Sequence, residues 1–107
     1  MEPVLPDYLD CCVNRLVPAL LGSSNPPSCF SEDIFLAKTV VLLVLDGLGW
    51  QQFQDSKEIF TSLSEFSGNS ITTVAPSTTA AALTSITTGV PPGEHGIVGY
   101  RIPVEGG

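Results

Sequence analysis

The chain has 107 residues, 43% hydrophobic and 14% charged, with 11 acidic against 4 basic residues and a formal net charge of -7. That length suits one small domain and is short for a large enzyme, and so low a charged fraction, with a mean hydropathy of +0.30, excludes intrinsic disorder. Positive charge comes only from Arg15, Lys38, Lys57 and Arg101, too little for the basic footprint of phosphate-backbone binding, which excludes a nucleic-acid scaffold role.

Met1-Glu2-Pro3 lacks the positive start of a signal peptide, and the longest unbroken apolar run, Val40 to Leu45, is six residues, whereas a membrane helix needs about 20. The expectation is a soluble, cytoplasmic protein without a transmembrane segment. Residues 7–21 read as a helix, N-capped by Asp7 after Pro6, with Leu9, Cys12, Val13, Leu16, Val17, Leu20 and Leu21 at helical spacing and Gly22 at its end. Pro18 falls inside this pattern and is expected to kink the last turn or displace the start. The cysteines, Cys11, Cys12 and Cys29, are odd in number, and two are adjacent. They imply no disulfide framework, fit a reducing compartment and read as small buried apolar residues. His95 lies far from all three in sequence, so a closed structural zinc site has no support. Residues 22–33, with Ser23-Ser24-Asn25-Pro26-Pro27-Ser28, read as a surface loop.

Thr39 to Leu45 is a continuous β-branched and apolar run, the pattern of a central parallel strand covered on both faces. It stops at Asp46-Gly47-Leu48-Gly49. A helix is expected within 50–66, with Phe53, Ile59, Phe60, Leu63 and Phe66 as core contacts, then a turn at Gly68-Asn69 and a strand at Ser70 to Val74. Thr78 to Gly89 reads as a further helix, with Ala82, Leu83, Ile86 and Val90 on its inner stripe and Gly89 as C-cap. The alternation of strand and helix predicts an α/β fold with a largely parallel sheet. Residues 1–38 are expected to form an N-terminal extension and 39–107 the first β-α-β-α portion of an incomplete domain.

In open α/β sheets, chemistry collects outside the carboxyl ends of strands. At one such end stands Asp46, a carboxylate followed by Gly47 and Gly49, suited to a metal ion or equally to capping the next helix or forming an Asx-turn. At the other, Ala75-Pro76-Ser77-Thr78-Thr79-Ala80 puts hydroxyls at a strand-to-helix junction, where free N–H groups and the helix dipole favour an anion. The same cluster also reads as a plain N-cap. A threonine hydroxyl needs a base or a metal to become a nucleophile, and with one histidine in the chain a metal is the economical activator. Gly47-Leu48-Gly49 is not a dinucleotide fingerprint, since Gln52 stands at the third glycine's place, and no P-loop ending follows. A phosphatase with Asp46 as nucleophile would show a second Asp where Leu48 stands.

Taken together, Val41 to Gly49, then Pro76-Ser77-Thr78-Thr79-Ala80 running into Thr88-Gly89, then Pro91-Pro92-Gly93-Glu94-His95-Gly96 resemble the alkaline phosphatase superfamily, in its nucleotide pyrophosphatase/phosphodiesterase-like branch. The Leu5-Pro6-Asp7-Tyr8 opening is also similar to bacterial members. The resemblance spans about residues 39–100. It implies an α/β/α sandwich, a small-molecule phosphate ester or nucleotide substrate and two divalent metal ions, usually zinc. Asp46 matches a metal ligand. Thr79, ten residues before Gly89, matches the metal-coordinated nucleophile that forms a phosphothreonine intermediate, with Thr78, its substrate-binding neighbour, as the next candidate. His95 and Gly96 match a His-Gly element of structural or rim-lining role. Tyr100 stands where phosphodiesterase members often place an asparagine that holds a phosphoryl oxygen, and a phenol donates one such bond.

The family's remaining Asp and His ligands lie on downstream strands that these residues do not include. The expectation is therefore an N-terminal piece of a longer enzyme, inactive alone, because one catalytic zinc takes three protein ligands. The competing expectation is a small non-catalytic α/β interaction module in which Thr79 only caps its helix and Asp46 only shapes a turn.

Overall fold

The structure, a computed structural model, describes residues 2–106. Its helices are α1 (Leu16–Leu20), entered through a 3-10 turn at Val13–Arg15, α2 (Asp33–Leu36), α3 (Trp50–Asp55), α4 (Thr79–Thr88) and α5 (Pro92–His95), with a second 3-10 turn at Leu63–Glu65. The chain up to Val40 and again from Ile71 forms one compact unit, and Val41–Ser70 forms another. The N-terminal residues pack with the segment that follows Ile71.

In the first unit, Cys12 and Thr72 form an isolated parallel bridge. Val13 N–H donates to Thr72 O at 3.1 Å and Thr72 N–H to Cys11 O at 2.9 Å. Cys12, Val74 and Ala81 bury one another beneath Tyr8, Val13 and Ala82, and α4 packs against α1, its preceding 3-10 turn and α5. This pairing explains why the helix expected over 7–21 begins only at Val13. Asp7 N–H donates to Thr72 Oγ1 at 2.8 Å, and a backbone engaged with Thr72 has no groups left for an i to i−4 ladder. Asp7 therefore stabilises a turn, accepting Cys11 N–H at 3.4 Å, and Leu9 and Leu21, assigned to the apolar stripe, are exposed. Pro18 sits in the first turn of α1, where a missing N–H is tolerated.

The helix expected over 78–89 forms as α4, capped by Thr78 and closed by Gly89 in the left-handed region at φ 79°. Its buried face is rotated from the expected stripe. Ala81 and Ser85 are fully buried while Leu83 is exposed, because small side chains admit the Cys12–Val74 cluster and the His95 ring. The loop after α1 leads into α2, whose Phe35 ring lies 6.0 Å from Phe30. Within that loop the Asp10 carboxylate accepts both the Ser28 N–H, at 2.6 Å, and the Ser28 hydroxyl.

In the second unit, the single helix expected within 50–66 is divided into α3 and the 3-10 turn at Leu63–Glu65. Ser56 leaves helical geometry at φ -119°, ψ 20°, as a short hydroxylic residue does readily. Phe53 packs between Trp50 and Phe60, at 6.0 and 6.3 Å, whereas Ile59 and Phe66 are exposed. Residues 41–45 have no strand partner among the described residues and are exposed, from 42% at Val44 to 84% at Val41. Parallel pairing among those residues is confined to the Cys12–Thr72 bridge, since a strand is defined by neighbours that take up its N–H and C=O groups. No described helix is long and apolar enough to cross a membrane.

Two outcomes follow from these contacts. A Cβ at Gly89 would meet the Pro18 ring as well as the left-handed backbone, so Gly89→Ala is expected to cost at least about 1–2 kcal/mol in chemical denaturation. The Ser28 hydroxyl, then the Ser28 N–H, hold the Asp10 carboxyl below its ordinary value of 3.8. A depressed folded-state value makes its contribution present above 3.8 and lost as pH falls through the folded value, so Asp10→Asn should flatten the acid limb of a stability-versus-pH curve.

Candidate active site

Residues 72–78 deliver the start of α4. Thr72 is held by Cys12, Val74 is buried, Ala75 N–H donates to the Tyr8 hydroxyl at 2.9 Å and the Ala75–Pro76 peptide is cis. Thr78 then takes the extended N-cap conformation at φ -67°, ψ 152°. Its Oγ1 accepts Ala81 N–H at 3.4 Å and donates to Val98 O at 2.7 Å, while its carbonyl accepts Ala82 N–H at 2.8 Å. The Thr78 hydroxyl is thus engaged both as acceptor and as donor.

Thr79 is the first helical residue. Its hydroxyl has no hydrogen-bond partner among the described residues, and neither do the N–H groups of Thr79 and Ala80. The plain-cap reading of Thr79 is thereby overturned, because Thr78 fills that role. No acidic residue occupies the first turn of α4. One hydroxyl and two N–H donors stand free at the positive end of a ten-residue helix, an arrangement that favours an anionic group and stabilises an alkoxide.

His95 is bound elsewhere on α4. Its Nδ1 accepts Ile97 N–H at 3.0 Å, so the proton resides on Nε2, which faces the Ser85 hydroxyl at 2.8 Å. Both nitrogens are engaged in bracing α5 and the 95–97 turn against the second turn of α4. Tyr100 is 83% exposed and its phenol is unpartnered among the described residues; the chain two positions earlier is anchored to the α4 cap through Val98 O. Sequence reasoning missed Tyr8, Ser85 and the Val98 carbonyl. Ser85 alone left a signal, its i+4 spacing from Ala81, whereas Tyr8 meets Ala75 across 67 positions with no local pattern to announce it.

Asp46 belongs to the other unit. It occupies the second position of a turn closed by Leu48 N–H donating to Leu45 O at 3.3 Å, with Gly47 at φ 82°. The next helix, α3, is capped without it, for Gly49 is the N-cap and its N–H donates to Gln52 Oε1 at 2.6 Å. The Asp46 carboxylate is exposed and makes no hydrogen bond among the described residues, so it neither caps α3 nor closes an Asx-turn. A free carboxylate and a free hydroxyl are both ligand types for a divalent ion. Among the described residues, however, no three His, Cys, Asp or Glu side chains gather as a metal site.

The model of the family described as type I phosphodiesterase / nucleotide pyrophosphatase matches residues 40–106. No curated protein and no solved structure matches the chain. The matched stretch takes in Asp46, Thr78, Thr79, His95 and Tyr100 and exceeds half of the chain. The chain therefore belongs to the type I phosphodiesterase / nucleotide pyrophosphatase family, hydrolases of phosphate esters and nucleotides.

Proposed function

We propose that these residues contribute the nucleophile and one metal ligand of a metal-dependent phosphodiesterase or nucleotide pyrophosphatase. The observation that carries this reading is the division of labour at α4, where Thr78 takes the whole of the capping role and leaves the Thr79 hydroxyl free beside two free N–H donors. In the proposed reaction, Thr79 Oγ1 attacks phosphorus and the bond to the leaving oxygen breaks, giving a phosphothreonine. The hydroxyl proton passes to solvent, since His95 has both nitrogens engaged. Water then cleaves the phosphothreonine and restores the hydroxyl. The N–H groups of Thr79 and Ala80 receive phosphoryl oxygens, and the exposed phenol of Tyr100 supplies a further donor.

Asp46 and Thr79 are the proposed ligands from this chain for two divalent ions, zinc by resemblance, which when bound lower the hydroxyl's pKa and offset charge on the leaving oxygen. The remaining ligands are proposed to come from elsewhere in the enzyme, as the resemblance implies, since one catalytic zinc takes three protein ligands. The α/β/α sandwich is likewise proposed. What supports it is the continuous apolar run at 40–45, whose burial between neighbouring elements would yield about 1.5–3 kcal/mol per large side chain.

The test is hydrolysis of an aryl phosphodiester, with zinc, by the gene product that carries these residues. Thr79→Ala is expected to lower kcat by about 1,000-fold or more, with partial recovery in Thr79→Ser and complete loss on chelation. Thr78→Ala should instead cost about 1 kcal/mol of stability. Full activity in Thr79→Ala, or activity indifferent to chelator, would overturn the assignment. The isolated 107 residues are expected to show no zinc-dependent turnover, and turnover by them would remove the need for outside ligands.

A further inference from the structure

In the first unit, away from α4, two thiols meet at the loop that follows α1. Cys29 N–H donates to Cys11 Sγ at 3.1 Å across 18 positions of sequence. Both residues are partly accessible, while Cys12 is buried. Cys11 Sγ lies 3.4 Å from Ser28 Oγ. Ser28 in turn gives both its hydroxyl proton and its N–H to the Asp10 carboxylate. Because the single Ser28 proton is directed to Asp10, the Cys11 thiol is the donor toward Ser28 Oγ. The chain of groups runs from Cys29 N–H through Cys11 Sγ and Ser28 to the Asp10 carboxylate, and it holds the Cys11 side chain against the Cys29 backbone.

We propose that Cys11 and Cys29 form a peroxide-responsive dithiol that closes to an intramolecular disulfide, with Cys11 as the sulfur oxidised first and Cys29 as the resolving thiol. The Cys11 sulfur attacks a peroxide oxygen, the O–O bond breaks, the thiol proton leaves with the departing oxygen as one water, and Cys11 becomes a sulfenic acid. Cys29 sulfur then attacks the Cys11 sulfur, the S–O bond breaks, and the Cys29 proton leaves with that oxygen as a second water. Two thiols supply two electrons to one peroxide, and the balance closes.

The order of the steps follows from the surroundings. Burial above all pushes the Cys29 thiol up to about 12, so Cys29 stays protonated and is not the sulfur oxidised first. Cys12 cannot substitute, because it is fully buried in the Val74–Ala81 cluster. The disulfide would tie the loop after α1 to the backbone that pairs with Thr72 and so to the segment leading into α4.

The test treats the folded full chain with graded hydrogen peroxide, alkylates the remaining thiols and maps the products after tryptic digestion. Cleavage after Arg15 separates Cys11 and Cys12 from Cys29. A loss of about 2 Da from the intact chain and a linkage between peptides 1–15 and 16–38 are expected. The linkage should persist in Cys12→Ser and be absent from Cys11→Ser and Cys29→Ser. Linkage through Cys12, scrambling among all three cysteines, or oxidation of Cys11 and Cys29 as separate sulfinic acids would overturn the proposal.

Discussion

Everything in the larger unit depends on one short pairing, the parallel bridge between Cys12 and Thr72. It joins two stretches far apart in the chain and buries Cys12 with Val74 and Ala81. Ala81 belongs to α4, so the bridge sets the height and angle at which that helix begins. A small buried cluster can do this because interior packing is dense, and displacing one member of the set moves the others. The second anchor is Tyr8, whose hydroxyl takes the Ala75 N–H, and the third is Val98 O, which takes the Thr78 hydroxyl. Three contacts from separate parts of the chain therefore converge on the segment just before Thr79.

Capping a helix and acting as the proposed nucleophile make opposite demands on a hydroxyl. A capping hydroxyl is engaged as an acceptor from the helix and, here, as a donor to Val98, which leaves it no freedom to meet a substrate. A nucleophile needs the reverse, a hydroxyl at the helix terminus that no protein group has claimed. Thr79 has that property, and the Ser85–His95 contact further along α4 keeps the only imidazole in the chain occupied elsewhere. Family membership rests on residues 40–106 as a pattern, and the unpartnered hydroxyl at the start of α4 is the group that the proposed phosphoric ester chemistry would use.

Local signals in the sequence were reliable where the physics itself is local. Helix α4 was legible from Thr78 to Gly89 because a hydroxylic cap, an Ala-rich body and a glycine needing positive φ act within a few residues of one another. The turn at Asp46–Gly47 was legible for the same reason. The first helix was not, since Asp7 to Cys12 fit a helical period equally well but gave their backbone groups to Thr72 and to turns. Nor was the inward face of α4, whose fully buried positions are the small residues Ala81 and Ser85 while the apolar Leu83 is exposed. Hydrophobicity ranks the candidates for burial, whereas steric room at the partner decides among them.

The sequence by itself determined the family, the residue types at the two turns and the existence of α4, because motif spacing and capping preferences are written in neighbouring positions. It left open whether Thr78 or Thr79 would hold the cap and whether Asp46 would be tied into the next helix. Only the tertiary structure decided these points. The deciding partners, Val98 O for Thr78 and Gln52 for Gly49, are fixed by where the folded backbone places a donor or acceptor, and a hydrogen bond's choice among nearby groups is a matter of ångströms that sequence spacing does not resolve.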